Sequence, residues 1–222
     1  MEVLSFRATE RDPLCKDKEL EVEFGQDGAY QRVSYRERID MNSDDLESYC
    51  ARALAGDATH AKPIHPTSVV TATWVRLKCQ FGCPEYGKGY CCPPDTPTPE
   101  RMRGILDSYQ RAILFHVEAA KTPGESRTKR LKGFFEMLVD LEGDMFKDGF
   151  YKAFVLLAGP CTLCEECGKL KGVACTFGNR ARPSMEACGI DVYRTARSNG
   201  FFIQPLREKT ETQHIYCLML VD

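Results

Sequence analysis

Three cysteines spaced two residues apart, Cys161, Cys164 and Cys167, are the chemically most pointed residues of this chain. The run Cys161-Thr-Leu-Cys164-Glu-Glu-Cys167 lets one tight loop turn several sulfurs toward one centre, and Cys175 follows after seven intervening residues. Bacterial-type ferredoxin loops use this spacing to hold a four-iron cluster. A ferredoxin run places its fourth cysteine three residues on, followed by proline. Here the gap is longer and Thr176 follows Cys175, so the chemistry is related but the motif is not a plain ferredoxin one. Unpaired cysteines packed as small apolar residues do not produce regular spacing. The expectation is a metal-binding loop.

A second cluster lies upstream: Cys79-Gln-Phe-Gly-Cys83-Pro-Glu-Tyr-Gly-Lys-Gly-Tyr-Cys91-Cys92-Pro-Pro. Its glycines and prolines predict a rigid, irregular loop of the kind that wraps a metal. Adjacent cysteines rarely point at one site, so one of Cys91 and Cys92 is the ligand. Cys92 is preferred, because Pro93 and Pro94 fix the backbone after it, and Cys91 stands in reserve. The expected ligands are therefore Cys161, Cys164, Cys167 and Cys175 for one site. Cys79, Cys83 and Cys92, completed by Cys188, form the other. Cys188 reads alternatively as a buried thiol on a turn. Two four-thiolate sets match two four-iron, four-sulfide clusters. Zinc accepts the same sulfur set, but three cysteines in one Cys-x-x-Cys-x-x-Cys loop favour the iron–sulfur cubane over paired zinc knuckles. Cys50 and Cys217 fall on apolar faces and read as core, and Cys15 is not expected to be a ligand. Arg180 and Arg182 either offset the negative charge of a thiolate-bound cluster or pair with surface carboxylates. His60, His65, His116 and His214 are scattered and form no nucleophile or metal triad with a motif.

Composition bounds the function. Apolar content of 43%, charged content of 28% and a net charge of −2 describe an ordinary globular protein with no general affinity for nucleic acid. No apolar run is long enough to span a bilayer. Nor does the N-terminus carry the basic-then-apolar pattern of a secretory signal. Twelve cysteines without an export signal argue for reduced thiols, metal over disulfides, and the cytoplasm. The basic stretch Lys121 to Lys132 reads as a solvated helix start rather than a nucleic-acid patch.

These residues have to be positioned by the elements around them. Glu21–Phe24 reads as an edge strand with Tyr30–Ile39 as partner. Ser43 caps a helix to about Leu54 with Leu46, Tyr49, Cys50 and Ala53 inward. Val69–Leu77, rich in β-branched residues, predicts a strand that delivers the chain into the first cysteine loop. Thr98 and Pro99 open a helix burying Met102, Ile105, Leu106 and Tyr109. A strand at 111–118 precedes a long helix at 125–147 with Leu131, Phe135, Leu138, Leu141 and Met145 inward. A strand at 150–158 opens into the second cysteine loop, Asp191 caps a short helix, and 214–221 is a closing strand. The fold class expected is α+β (or α/β): a compact layered fold with a mixed sheet and both cysteine loops at one edge. Residues 1–60 form an N-terminal extension packed on a metal-binding domain of 61–222.

The segments Cys83-Pro-Glu-Tyr-Gly-Lys, Cys92-Pro-Pro, Cys161-x-x-Cys-x-x-Cys and Arg182-Pro-Ser-Met-Glu-Ala with Gly189-Ile-Asp-Val together resemble a prokaryotic family of predicted metal-binding, cysteine-rich proteins, a domain of unknown function. The resemblance covers about residues 70–222. It departs at Cys91, where a small polar residue is usual, and at Thr176, where a nearby proline is. It implies a cysteine-ligated metal protein and supplies no reaction. Three functional readings follow: an iron–sulfur electron carrier or redox auxiliary serving a redox partner protein, a cluster-dependent enzyme with an open iron, and a zinc-binding interaction module.

Overall fold

The computed structural model describes residues 3–7, 18–24, 30–37, 44–119, 127–208 and 211–222. Cys15, the expected cap Ser43, the expected helix start at Glu125 and the side chains of Lys121, Arg127, Lys129 and Arg130 lie outside the described residues. The chain divides into two compact units, 1–42 and 43–222.

The first unit carries β1 (Val3–Arg7), β2 (Lys18–Phe24) and β3 (Tyr30–Glu37) in one antiparallel sheet ordered β1-β2-β3. The expected pairing of the Glu21–Phe24 stretch with its neighbour is present, but β2 is the central strand rather than an edge.

The second unit begins with α1 (Asp44–Ala55) and β4 (His60–Ile64). It continues through α2 (Trp74–Gly82), α3 (Pro99–Leu106), β5 (Ala112–Ala119), α4 (Arg127–Lys147), β6 (Phe154–Leu156), α5 (Val192–Ser198) and β7 (Gln213–Leu220). Its sheet runs β4-β5-β7-β6 and every strand pair is antiparallel. That makes the fold α+β. Among the described residues, a parallel contact occurs only as the isolated bridge Leu157–Ser184, so the expected mixed sheet is an antiparallel one. The last strand in sequence therefore sits inside the sheet, not at its closing edge.

Alternation along β5 and β7 supplies both faces of the core. Ile113, Phe115, Val117, Cys217 and Met219 meet α1 and α4 on one side. From α1 come Leu46, Tyr49, Cys50 and Ala53, as the helical spacing requires. From α4 come Leu138, Leu141 and Met145, with Leu131 and Phe135 packed half-buried against them as expected and Phe134 buried in addition. Ala112, Leu114, Tyr216, Leu218 and Leu220 meet Met102 and Leu106 of α3 and Val192 and Ala196 of α5 on the other. Truncating any of the fully buried leucines to alanine costs about 2–5 kcal/mol.

The caps follow the sequence. Thr98 Oγ1 accepts from Arg101 N and Asp191 Oδ1 accepts from Arg194 N. Gly189 ends a 3-10 turn at φ +76, where a Cβ would lie 2.4 Å from Pro99 Cγ. The turn residue and the first turn of α3 pack so closely that only glycine fits.

One element contradicts the sequence reading. The stretch Val69–Leu77 is not a strand: it forms a single bridge, Thr71 to Ile190, and then enters α2 at Trp74. β-branched residues favour a strand only where a neighbour strand is present to pair with. Here Val69 is instead 1% exposed in the second core cluster and Val75 is the residue that α2 buries. The first cysteine loop consequently leaves a helix, while the second leaves β6.

Candidate metal centre

Cys79 lies in the last turns of α2, and Cys83 N closes that helix on Cys79 O at 3.3 Å. The loop then folds on itself: Tyr86 N bonds Cys83 O, Gly87 N bonds Pro93 O at 2.9 Å, and Cys92 N bonds Gly89 O at 3.1 Å. Gly87 holds φ +76. The second loop springs from edge strand β6, held by Leu157 N to Pro183 O and Met185 N to Leu157 O, each 2.9 Å. A 3-10 turn at Gly168–Lys171 follows Cys167 and ends on Gly172 at φ +68. Tyr90 Oη donates to Val173 O at 2.8 Å and Lys169 pairs with Asp95, so each loop is tied to the other.

Between them is a cavity of about 140 Å³ lined by Cys91, Cys92, Cys161, Cys164, Cys167 and Cys175. A larger one, about 670 Å³, is lined by Cys79, Cys83 and Cys92, with Glu186, His214 and the aromatic rings of Trp74 and Tyr86 among its other walls. Cys92 and Pro160 belong to both linings. A Cβ on Gly89 would stand 3.9 Å from the sulfurs of both Cys92 and Cys167, so the two loops meet at that glycine.

Of the adjacent pair, Cys91 lines the smaller cavity and Cys92 lines both. Cys91 donates its thiol proton to Cys161 and feels Cys175, whereas Cys92 is raised first by burial and then by Cys83, Glu85, Cys79 and Cys161. The bond from Cys91 holds Cys161 down at about 6, against the opposing effect of burial and helped by the Leu163 N–H. Burial pushes the Cys79, Cys92 and Cys164 thiols up, with the neighbouring thiolates adding to it for Cys92 and Cys164. Cys79 Sγ also sits 4.0 Å from the Glu186 carbonyl oxygen.

Seven of the eight expected ligands, Cys79, Cys83, Cys92, Cys161, Cys164, Cys167 and Cys175, line these two cavities. Cys188 is placed differently. It is 1% exposed within the second core cluster beside Met185, Ile190 and Leu218, and burial drives its thiol up to about 12. Cys50 and Cys217 are in the core, as read from their apolar faces. Arg180 pairs with Asp140, and Arg182 pairs with Glu142, which also accepts from Val155 N. Both arginines thus take the carboxylate-pairing role.

Three of the four histidines are not scattered. His60, His116 and His214 stand side by side on β4, β5 and β7, stacked 5.2 Å apart centroid to centroid in each neighbouring pair. Sequence reasoning missed the group because the three come from distant segments; the only local signal was alternation, which puts His116 and Glu118 on one face.

The donors around the two cavities are thiols in number enough for two four-thiolate sets, and that chemistry fits soft metals or iron–sulfur clusters. Among the described residues, no helix is long and apolar enough to cross a membrane. A family model described as predicted metal-binding protein (DUF2284) matches residues 62–221. No curated protein and no solved structure matches the chain.

Proposed function

Because the chain belongs to the DUF2284 family of predicted metal-binding proteins, we propose that its two cysteine loops hold two thiolate-ligated four-iron clusters and that it passes single electrons to a partner enzyme. The observation that supports this is the convergence of eight thiols on two cavities that share Cys92 in their walls. Cys91, Cys161, Cys164 and Cys175 form one set, following the bond from Cys91 to Cys161 and the influence of Cys161 and Cys175 on Cys164, on which Cys167 acts more weakly. Cys79, Cys83, Cys92 and Cys167 form the other, following the approach of Cys92 and Cys167 at Gly89. Cys91 thereby replaces Cys188, and Cys167 crosses over from its own loop.

The bound clusters supply the one-electron chemistry. The chain's residues supply the frame. Tyr90 and Lys169 lock the loops together. Cys83 and Cys161, one in each set, are exposed and mark where a redox partner approaches. Cys79, Cys92 and Cys164, raised by burial, hold their protons in the metal-free chain, so loading releases protons.

A second reading, an enzyme with substrate beside the second thiol set, is favoured by the larger cavity. Its volume suits a small molecule, and Glu186 lines it with one buried oxygen, Oε2, that has no hydrogen-bond partner.

Elemental analysis of anaerobically purified protein tests the assignment. Iron with matching acid-labile sulfide and a brown colour is expected. Stoichiometric zinc in a colourless, sulfide-free sample overturns it. Cys167→Ala and Cys91→Ala should each lose iron, whereas Cys188→Ala should keep the wild-type content.

A further inference from the structure

The register of the second sheet sets His60 opposite His116, and Glu118 opposite His214, all on the face covered by α3 and α5. His116 Nδ1 is 3.0 Å from His60 Nδ1, and His116 Nε2 is 2.9 Å from His214 Nδ1. A neutral imidazole has one proton for its two nitrogens. When that proton lies on Nδ1 and is donated to His60, His116 Nε2 becomes a lone pair aimed at His214 Nδ1. A ligand atom from each of His116, Glu118 and His214 lies within 4.8 Å of the other two. Two imidazole nitrogens and a carboxylate oxygen therefore lie close enough together to share one ion.

We propose that His116, His214 and Glu118 form a separate, sulfur-free site for a divalent transition-metal cation of the zinc or ferrous class. Two histidines and one carboxylate are a set that both ions accept with coordination positions left open. His60 acts as the outer partner that fixes the ring and tautomer of His116. Phe201 packs its ring against both His60 and His116, and Phe202 meets His214 edge-on at 5.8 Å, so the rings have little freedom to turn away. The burial is graded: His116 is buried, His214 half-buried and Glu118 exposed, which leaves an entry path on the carboxylate side. His214 is also a wall of the large cavity that Cys79, Cys83 and Cys92 line. The site shares no ligand with the thiol sets and does not depend on what they hold.

Cobalt(II) titration followed by absorption separates the two kinds of site. Cobalt on nitrogen and oxygen donors shows only weak ligand-field bands, while thiolate ligation adds an intense sulfur-to-metal charge-transfer band. The expected result is one equivalent of cobalt bound without that band. It is lost in Glu118→Gln and in His214→Ala, while thiolate-bound cobalt stays unchanged. His60→Phe should weaken the same equivalent by about 10-fold or more, as loss of an outer-shell partner does. Because Glu118 is exposed, its amide variant keeps the fold, which circular dichroism checks. The site is refuted if both ligand variants bind as much cobalt as the wild type, or if every bound cobalt in the wild type shows charge transfer.

Discussion

Arg182 and Glu142 face one another as a two-pronged ion pair, with Nη2 2.6 Å from Oε1 and Nε 2.9 Å from Oε2. Glu142 Oε2 accepts a third bond, from Val155 N at 2.8 Å, and both side chains are largely buried. The pair ties α4 to β6 just where the second cysteine loop departs. Removing one partner of such a pair strands the other's charge, at a cost on the order of 3–5 kcal/mol. Glu142→Ala should lower unfolding stability by that much in chemical denaturation, while Glu142→Leu combined with Arg182→Met should recover most of it. A loss below about 1 kcal/mol in the single variant contradicts the role given to the pair.

The bond from Cys91 to Cys161 makes Cys161 the thiol most easily ionised among those whose shifts have been described, at about 6, and its side chain is exposed. Thiolates are the reactive form. In metal-free protein at pH 7, iodoacetamide should modify Cys161 first, read by peptide mass spectrometry. Cys91→Ala should slow that modification severalfold by returning Cys161 toward an ordinary thiol. Equal rates in the two proteins contradict the bond.

His116 is held at about 4 by burial, then by His214 and His60, against an ordinary 6.5. Between those values the unfolded chain binds a proton that the folded chain does not, so stability rises with pH across the window and falls as pH drops through it. Above about 6.5 this contribution is flat. Metal-free protein should lose denaturant resistance from pH 6.5 to pH 4, and His116→Gln should lose less over the same interval. Parallel curves for the two proteins remove His116 as the cause.

Gly168 occupies the neck of the second loop, where a Cβ would lie 2.9 Å from Ala174 O and 3.0 Å from Val173 O. Those are backbone atoms and cannot swing aside as a side chain does. Gly168→Ala should therefore spread the segment between Cys167 and Cys175 and reduce bound metal, with far-ultraviolet circular dichroism unchanged. Full metal content in that variant shows the neck to be more compliant than its contacts indicate.

What the sequence disclosed follows interaction range. The helix caps at Thr98 and Asp191 and the inward faces of α1 and α4 depend on neighbours a few residues away. The Val69–Leu77 stretch misled because a strand's identity depends on a partner far along the chain, and only Thr71 finds one. Cys91 is held in reserve by the rule that adjacent side chains diverge; in the structure Cys91 and Cys92 both line the smaller cavity, and Cys92 lines the larger one as well. Cys188 has motif-like neighbours, yet the 3-10 turn at Glu186–Cys188 rolls it into the apolar layer. The histidine row exists only through the register of three strands.

The position of β7 between β5 and β6 bears on how the molecule is born. β7 is made after β4, β5 and β6, so until residues 213–220 emerge β5 has one flank open and β6 has no pairing partner in the sheet. Both hydrophobic layers wait for the same eight residues, because Cys217 and Met219 complete one and Tyr216, Leu218 and Leu220 the other. The nascent second unit must therefore travel with unpaired strand edges, the condition under which chains stick to one another and chaperones engage. Pairing of β7 with β5 across so long a stretch of chain is the non-local step that slows the folding of this sheet.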